Sequence, residues 1–155
     1  MMRLALVLAI AAPAASQPST TLDARAAQAI VNGCVAESTS RMQSHAIVVV
    51  DNGGPVVAAL RMDGNTSGIF DFALAKAEAV AAWGFSTAQM EESAKGTPGF
   101  ANAPHVVTVA GGVPVYSADG KSRIGAVGVS REAPQDDAGC AEAGIKAAGL
   151  RSSRS

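Results

Sequence analysis

Apolar residues recur at every fourth position in the first stretch of chain after the N-terminal segment. Residues spaced in this way lie on one face of an α-helix. The recurrence predicts a helix from Leu22 to about Ser40, capped by Thr20 or Thr21 and with Asp23 in its first turn. Its inward stripe consists of Leu22, Ala26, Ile30 and Cys34.

Two apolar runs separated by turn-forming residues follow this helix. The first, Ala46–Val50, is mostly β-branched, and the second extends from Pro55 to Met62, with DNGG at 51–54 between them. Asparagine and glycine accept the positive φ of tight turns, so the pattern predicts a β-hairpin. Both arms are apolar at successive positions, which indicates that helices or another subunit cover both of their faces.

The second half of the chain alternates between helical patterns and short β-branched runs. One helical pattern covers Ser67–Trp83, and a shorter one covers Ala88–Ala94 with Thr87 as its cap. The loop from Gly96 to Pro104 is placed to gate a pocket. Three further strands and a last helix are predicted at Val106–Ala110, Val113–Ser117, Arg123–Val129 and Pro134 to about Ala148.

This order of elements lacks strand-helix-strand alternation and predicts an α+β fold. We expect a five-stranded antiparallel sheet flanked by helices. A length of 155 residues with 48% hydrophobic residues suits one core, which we place in a single domain at residues 20–150. Residues 151–155 are expected to form a disordered tail.

The first sixteen residues have the layout of a signal peptide. Met1–Arg3 is short and basic, Leu4–Ala12 is unbroken and apolar, and small residues follow at Ala14–Ser16, where cleavage is expected. The pattern leaves open an uncleaved N-terminal helix or a lipid-facing anchor. No later run has membrane-spanning length, so we expect a periplasmic or secreted protein without membrane contact after cleavage.

Export affects how the two cysteines are interpreted. Cys34 and Cys140 fall on the first and last predicted helices, in a compartment where disulfides persist. A bridge between them would close a loop of about 100 residues, and the chain-entropy model assigns it about 4 kcal/mol of stability. The alternative is that both are unpaired, small buried hydrophobes.

The charge balance argues against a nucleic-acid partner. The chain has 16% charged residues, a formal net charge of -1 and 4% aromatic residues. It therefore lacks both a basic field for phosphates and enough rings for stacking bases.

Common catalytic motifs are absent from the sequence. There is no phosphate-binding loop, no strand-led dinucleotide fingerprint, no His-Glu-x-x-His and no Cys-x-x-Cys. Ser130 resembles a nucleophile elbow in one half only, because Glu132 stands where the second glycine is needed.

The sequence has few residues that can bind a metal, and iron in a porphyrin is compatible with this small number. A metal held by protein alone needs three or four donors, whereas haem needs one or two axial donors. For the two histidines, the alternative is an exposed position at the edge of a strand. The candidate donors are His45, His105, Met42, Met62, Met90 and Tyr116.

Three charged residues interrupt apolar elements. Arg61 ends an apolar strand, Asp63 follows it, and Lys76 lies within an alanine-rich helix. A guanidinium or an ammonium in a cleft suits a carboxylate ligand, including a haem propionate. The alternative is a structural ion pair of Lys76 with Asp63, Glu78 or Asp71.

An ordered set of motifs resembles the GlcG/HbpS-like family. The set comprises VVVDNGGPVVAALRMDG, a helix with AKA, then GGVPV, IGAVGVS and a QDDAGCAEAG helix, over about Leu22 to Gly149. The family is related to the C-terminal domain of PduO-type corrinoid adenosyltransferases. Positions on the family pattern are Arg61, Met62, Asp63, Gly64, Lys76, Thr87, Gly111, Gly112, Pro114, Gly125, Gly128, Val129, Ser130 and Asp137.

This resemblance implies a five-stranded, profilin-like α/β sandwich that assembles into dimers or larger rings. It also implies binding or degradation of haem in several members. Three positions depart from the pattern: Asn65 replaces a common alanine, Ala79 a threonine and Arg131 a glycine. If a hydroxyl or a close main-chain approach there matters for iron, these changes weaken haem binding.

Three functional hypotheses follow. The first is an exported haem- or tetrapyrrole-binding protein with haem-degrading activity. The second is an enzyme of a small carboxylate, held by Arg61 or Lys76, with His45 or His105 moving a proton. The third is an oligomeric accessory protein without a cofactor. In the first, a positively lined recess lies between the strand clusters and the lysine-bearing helix, at His45, Arg61, Met62, Asp63, Lys76, Thr87, His105, Gly111 and Gly112.

Overall fold

The computed structural model of the chain describes residues 21–155, so the predicted signal peptide at 1–16 and the candidate cap Thr20 lie outside the described residues. Asp23 caps the first helix instead, since its carboxylate accepts a hydrogen bond from the Ala26 amide at 2.7 Å. The elements are α1 (Ala24–Ser40), β1 (Ala46–Asp51), β2 (Val56–Arg61), α2 (Ser67–Trp83), α3 (Thr87–Gly96), a 3-10 turn (Phe100–Asn102), β3 (Gly112–Tyr116), β4 (Arg123–Ser130) and α4 (Pro134–Ala147).

The four strands form one antiparallel sheet in the order β2-β1-β4-β3. Alternate side chains of β1 enter two separate cores: Ile47 and Val49 pack with α1 and α4, whereas Val48 and Val50 pack with α2. The helices therefore cover both faces of β1, as its continuous apolar run indicates. Within one chain the helices leave part of β2 uncovered, because β2 is an edge strand whose Ala59 and Leu60 are exposed.

The prediction of a fifth strand at Val106–Ala110 is also wrong. Among the described residues this segment pairs with no strand, and its one backbone hydrogen bond joins the Val106 amide to the Ala103 carbonyl at 3.2 Å. The outer edge of β3 is already occupied, since the Gly112 amide donates to the Thr87 hydroxyl at 2.9 Å. A β-branched composition is therefore not sufficient to make this segment a strand.

The C-terminal residues cover the other end of the same edge. The Tyr116 amide donates to the Arg151 carbonyl at 2.7 Å, and the Arg151 amide donates back to the Tyr116 carbonyl at 3.2 Å. Further on, the Ser155 amide donates to the Gly120 carbonyl at 3.2 Å. These residues are ordered by main-chain pairing, in contrast to the disordered tail that the sequence suggests.

The two outer helices α1 and α4 pack against each other and are joined covalently. Cys34 and Cys140 form a disulfide, and their Cα atoms are 4.7 Å apart. This distance lies within the usual range for a bridge. No helix among residues 21–155 is both long and apolar enough to cross a membrane.

Gly128 sets the contact between β4 and α2 and gives a test of the packing. A Cβ at this position would lie 1.9 Å from the Ala73 carbonyl oxygen and 2.6 Å from the Ala77 nitrogen. We predict that Gly128→Ala lowers the free energy of unfolding by about 3 kcal/mol or more, because backbone atoms of α2 have to move. Urea denaturation measures this change.

The matched control is Gly139→Ala, because a Cβ at Gly139 meets nothing within 4 Å. Gly139 lies inside α4, where alanine is the better helix former, so this variant is expected to be equally stable or slightly more stable. Equal stability of the two variants would contradict the close approach of α2 to β4.

Candidate functional site

The lysine of α2 is buried in an ion pair. Lys76 is 1% exposed, and its Nζ donates to Asp137 Oδ2 and to the Val129 carbonyl, both at 2.9 Å. Asp137 lies in the first turn of α4 and accepts a further hydrogen bond from the Glu132 amide at 3.1 Å. Lys76 thus has a partner that differs from the three carboxylates suggested by the sequence, and it does not line an open recess.

His45 lies next to this pair and is fully buried, so it is not an exposed histidine at the edge of a strand. Its Nδ1 is 2.8 Å from the Ser38 hydroxyl, whose proton is donated to the Cys34 carbonyl at 2.7 Å. We therefore assign the imidazole proton to Nδ1. The Nε2 lone pair then faces Asp137 Oδ1 at 3.5 Å without forming a hydrogen bond.

Burial alters the protonation of all three groups. Removal from water lowers the pKa of His45 and that of Lys76. The same desolvation raises the pKa of Asp137 to about 6, although the hydrogen bond and charge of Lys76 oppose this rise. The cluster can hold protons, but its three side chains are almost completely shielded from solvent and from any substrate.

Three other predicted site residues, Thr87, Gly111 and Gly112, lie next to this cluster. Gly111 has a φ of 126°, and a Cβ there would lie 2.7 Å from Lys76 Nζ. Gly112 follows, and Thr87 accepts a hydrogen bond from its amide. The structure therefore brings together Lys76, Thr87, Gly111 and Gly112 as expected, but around a packed interior.

The residues at the end of β2 lie beside the backbone of His45, just before β1. The Met62 sulfur accepts a hydrogen bond from the His45 amide at 3.4 Å, and the Asp63 carbonyl accepts one from the Ser44 hydroxyl at 2.8 Å. Arg61 is exposed and donates to the Asn65 carbonyl. Arg61 and Lys76 therefore share no cavity, so the prediction of a recess lined by both is wrong.

The order of motifs described above is matched by a family model. The match runs from residue 22 to residue 146, and the model describes a haem-degrading protein, HbpS-like. The chain belongs to this family. No sequence among curated proteins matches this HbpS-like chain at a significant level.

Three solved structures have the same fold as this HbpS-like chain. The PduOC:heme complex has a TM-score of 0.78 and 21% identity, covering 86% of this chain and 99% of that chain. An HbpS double mutant from Streptomyces reticuli has a TM-score of 0.74 and 25% identity, covering 93% and 97%. The protein ORFY of Klebsiella pneumoniae has a TM-score of 0.76 and 24% identity, covering 89% and 97%.

Half of the six candidate iron ligands face the interior of this HbpS-like chain. His45 and Met90 have no exposed surface. Met62 is half-buried, and its sulfur already accepts a hydrogen bond from the His45 amide. His45 and Met90 therefore cannot reach a haem iron unless the core opens.

The other three candidates are accessible, but their surroundings differ. Met42 is 96% exposed, in a loop. His105 is exposed and has a left-handed backbone conformation with a φ of 60°. Tyr116 is half-buried and lines a groove of about 270 Å³.

This groove escaped the sequence analysis, although Tyr116 was among the candidates. It lies between the start of α3, the outer edge of β3 and the C-terminal residues. Its walls exist because residues 151–155 are ordered, whereas their small polar composition indicates a free tail. The residues that line it include Phe85, Gln89, Pro114, Tyr116, Ser153 and Arg154.

The groove continues into a second one of about 250 Å³, which shares Gln89 and Pro114 with it and reaches Gly111 and Gly112. A separate cavity of about 420 Å³ at the tip of the hairpin is lined by Leu22, Asp51 and Ile124 among others and contains no candidate iron ligand. Within residues 21–155, no three His, Cys, Asp or Glu side chains are grouped to hold a metal ion.

Because Lys76 and Asp137 form a buried ion pair, removing one of them should strongly lower the stability of the fold. Lys76→Met leaves the Asp137 carboxylate buried without a counter-charge, so we expect a loss of about 3–5 kcal/mol in the free energy of unfolding at pH 8. The loss should shrink at pH 5, where Asp137 is protonated. The control Lys95→Met removes the exposed pair with Glu92 and should change stability little. Equal losses in both variants would contradict the structural role of Lys76.

The buried neutral imidazole of His45 should also make the stability of the fold depend on pH. Because burial lowers the pKa of His45, the unfolded chain takes up a proton more readily than the folded chain as the pH falls. Wild type should therefore lose stability relative to His45→Gln between pH 7.5 and pH 5.5. Asp137 titrates in both chains, so its opposite contribution largely cancels in this comparison. Parallel stability profiles of the two chains would contradict the assignment.

Proposed function

We propose that this protein is an exported haem-binding protein with haem-degrading activity. The observation that carries the proposal is the family match over residues 22–146, which includes nearly all of the folded chain. The similarity in fold to a haem complex supports it. Bound haem would supply the iron centre, and the chain's own residues would supply a ligand atom, charges for the propionates and an apolar surface.

Two features support export. Met1–Arg3 and Leu4–Ala12 have the charge and hydropathy of a signal peptide. The Cys34–Cys140 disulfide suits an oxidising compartment such as the periplasm or the cell exterior.

We further propose that the protein assembles into a homo-oligomer. The strand β2 is a free edge with exposed Val56 and Leu60, and Phe72 of α2 is also exposed. Exposed edges and apolar side chains of this kind are commonly covered by a second copy.

The carboxylate-enzyme hypothesis gains no support from the geometry. Two of its proposed groups, Lys76 and His45, are enclosed and partnered, and Arg61 lies on the surface apart from them. No specific observation favours this function over haem binding.

Titration of the mature chain with hemin tests the proposal. We expect a saturable change in the Soret band at one haem per chain, with quenching of Trp83, the single tryptophan. Hydrogen peroxide should then bleach the bound haem faster than free hemin if degradation is part of the function. A spectrum identical to that of free hemin at every ratio would rule out haem binding.

A further inference from the structure

The cavity at the tip of the β1–β2 hairpin, which we call the hairpin-tip cavity, has no role in the proposed function. Its volume is about 420 Å³, larger than that of either groove beside β3, and its apolar walls come from Leu22, Pro55 and Ile124. Cavities from about 300 Å³ upward are large enough to enclose a ligand. The hairpin-tip cavity therefore has room for an occupant.

A single carboxylate lines this cavity. Asp51 is the one charged residue among the described residues that line it, and it is half-buried. Its Oδ1 atom accepts a hydrogen bond from the Gly53 amide at 2.7 Å, which fixes the carboxylate at the turn. None of the ion pairs within residues 21–155 includes Asp51. A half-buried carboxylate without a counter-charge favours a cationic group beside it.

The arginine that begins β4 has other partners. The guanidinium of Arg123 donates hydrogen bonds to the Val80 and Ala81 carbonyls at 3.0 and 3.1 Å. Both carbonyls lie in the last turn of α2. Arg123 therefore does not supply the counter-charge for Asp51.

The N-terminal segment of the processed chain begins its path at this cavity. Thr21 and Leu22 line the cavity, so residue 20 joins the described chain at its wall. Residues 12–14, Ala-Pro-Ala, match the small-x-small pattern of a signal-peptide cleavage site, which makes Ala15 the first residue after cleavage. The six residues 15–20 span about 20 Å when extended, which is enough to cross the cavity.

These six residues carry one charge, and cleavage creates it. Their sequence, ASQPST, contains no acidic or basic side chain. Hydrolysis of the Ala14–Ala15 peptide bond by a signal peptidase consumes one water molecule and leaves a carboxylate on Ala14 and an α-amino group on Ala15. This amino group is protonated at neutral pH. The precursor lacks this ammonium, whereas the processed chain has it within reach of Asp51.

We propose that residues 15–20 of the processed chain lie in the hairpin-tip cavity, with the α-ammonium of Ala15 against the Asp51 carboxylate. Pro18 then lies against the apolar wall. The contact makes the packing of the hairpin depend on removal of the signal peptide, because the precursor has neither the free end nor its charge. The inference rests on the export that is part of the proposed function and not on haem binding.

The first test is NMR spectroscopy of the chain that begins at Ala15, with its disulfide formed. We expect nuclear Overhauser contacts from Pro18 to the methyl groups of Leu22 and Ile124. The amide order parameters of residues 17–20 should be close to those of α1. Absence of the contacts, with order parameters below about 0.6, would overturn the inference.

The second test measures how readily the α-amine of Ala15 reacts with an acetylating ester. Pairing with Asp51 should slow this reaction, so Asp51→Asn should speed it by about threefold, in the range of a partly exposed ion pair. Peptide mass spectrometry measures the rate at Ala15 apart from that at lysines. The variant keeps an oxygen for the Gly53 amide, and circular dichroism verifies that it is folded.

The matched control is Asp119→Asn. Asp119 also accepts the amide of the residue two positions on, Lys121, at 3.1 Å, but it lies in the turn between β3 and β4. This variant should leave the acetylation rate of Ala15 unchanged. Equal rates in wild type and Asp51→Asn would contradict the pairing.

The outcomes separate this inference from the proposed function. If the protein recovered from the periplasm of a bacterial host begins at any residue other than Ala15, this inference is overturned. Export fails with it only when residues 1–14 are retained. If the processed chain begins at Ala15 but makes no contact in the cavity, this inference alone fails. Contacts from a second copy of the chain in the cavity, detected by mixed isotope labelling, would also overturn it.

Discussion

A lysine ammonium that is removed from water needs fixed oxygen atoms around it, and here the Asp137 carboxylate and the Val129 carbonyl supply them. These two partners belong to α4 and β4, whereas Lys76 belongs to α2. The pair therefore ties together the helices on the two faces of the sheet. Leaving either charge alone would be unfavourable in a packed interior, so the relative position of the two layers depends on this contact.

The remaining polar groups of the interior extend from this pair. Asp137 faces His45, His45 contacts Ser38, and Ser38 binds the carbonyl of the disulfide-bonded Cys34. The Gly111 backbone covers Lys76 so closely that no side chain would fit there. Lys76, Gly111 and Asp137, three of the residues on the family pattern, thus form a structural centre.

The sequence predicted α2 to the residue, the hairpin position, the outer helices and the family, because these depend on local periodicity and on the order of motifs. It also indicated that Lys76 needs a partner and that Cys34 and Cys140 can pair. It did not identify Asp137 as that partner, because a contact between residues 61 apart leaves no trace in periodicity. The prediction of a strand at Val106–Ala110 was wrong for a related reason. Composition does not reveal that Thr87 and Arg151 already occupy the edge of β3.

The central claim is that Lys76, Asp137 and His45 form a structural interior that takes no part in binding a ligand. The most direct measurement is the amide NMR spectrum of the mature chain with and without one equivalent of ferric haem, whose paramagnetism broadens nearby signals. The account predicts that the broadening is centred on surface residues and that the amides of Lys76 and Asp137 are less affected. Broadening centred on Lys76 and Asp137 would contradict it.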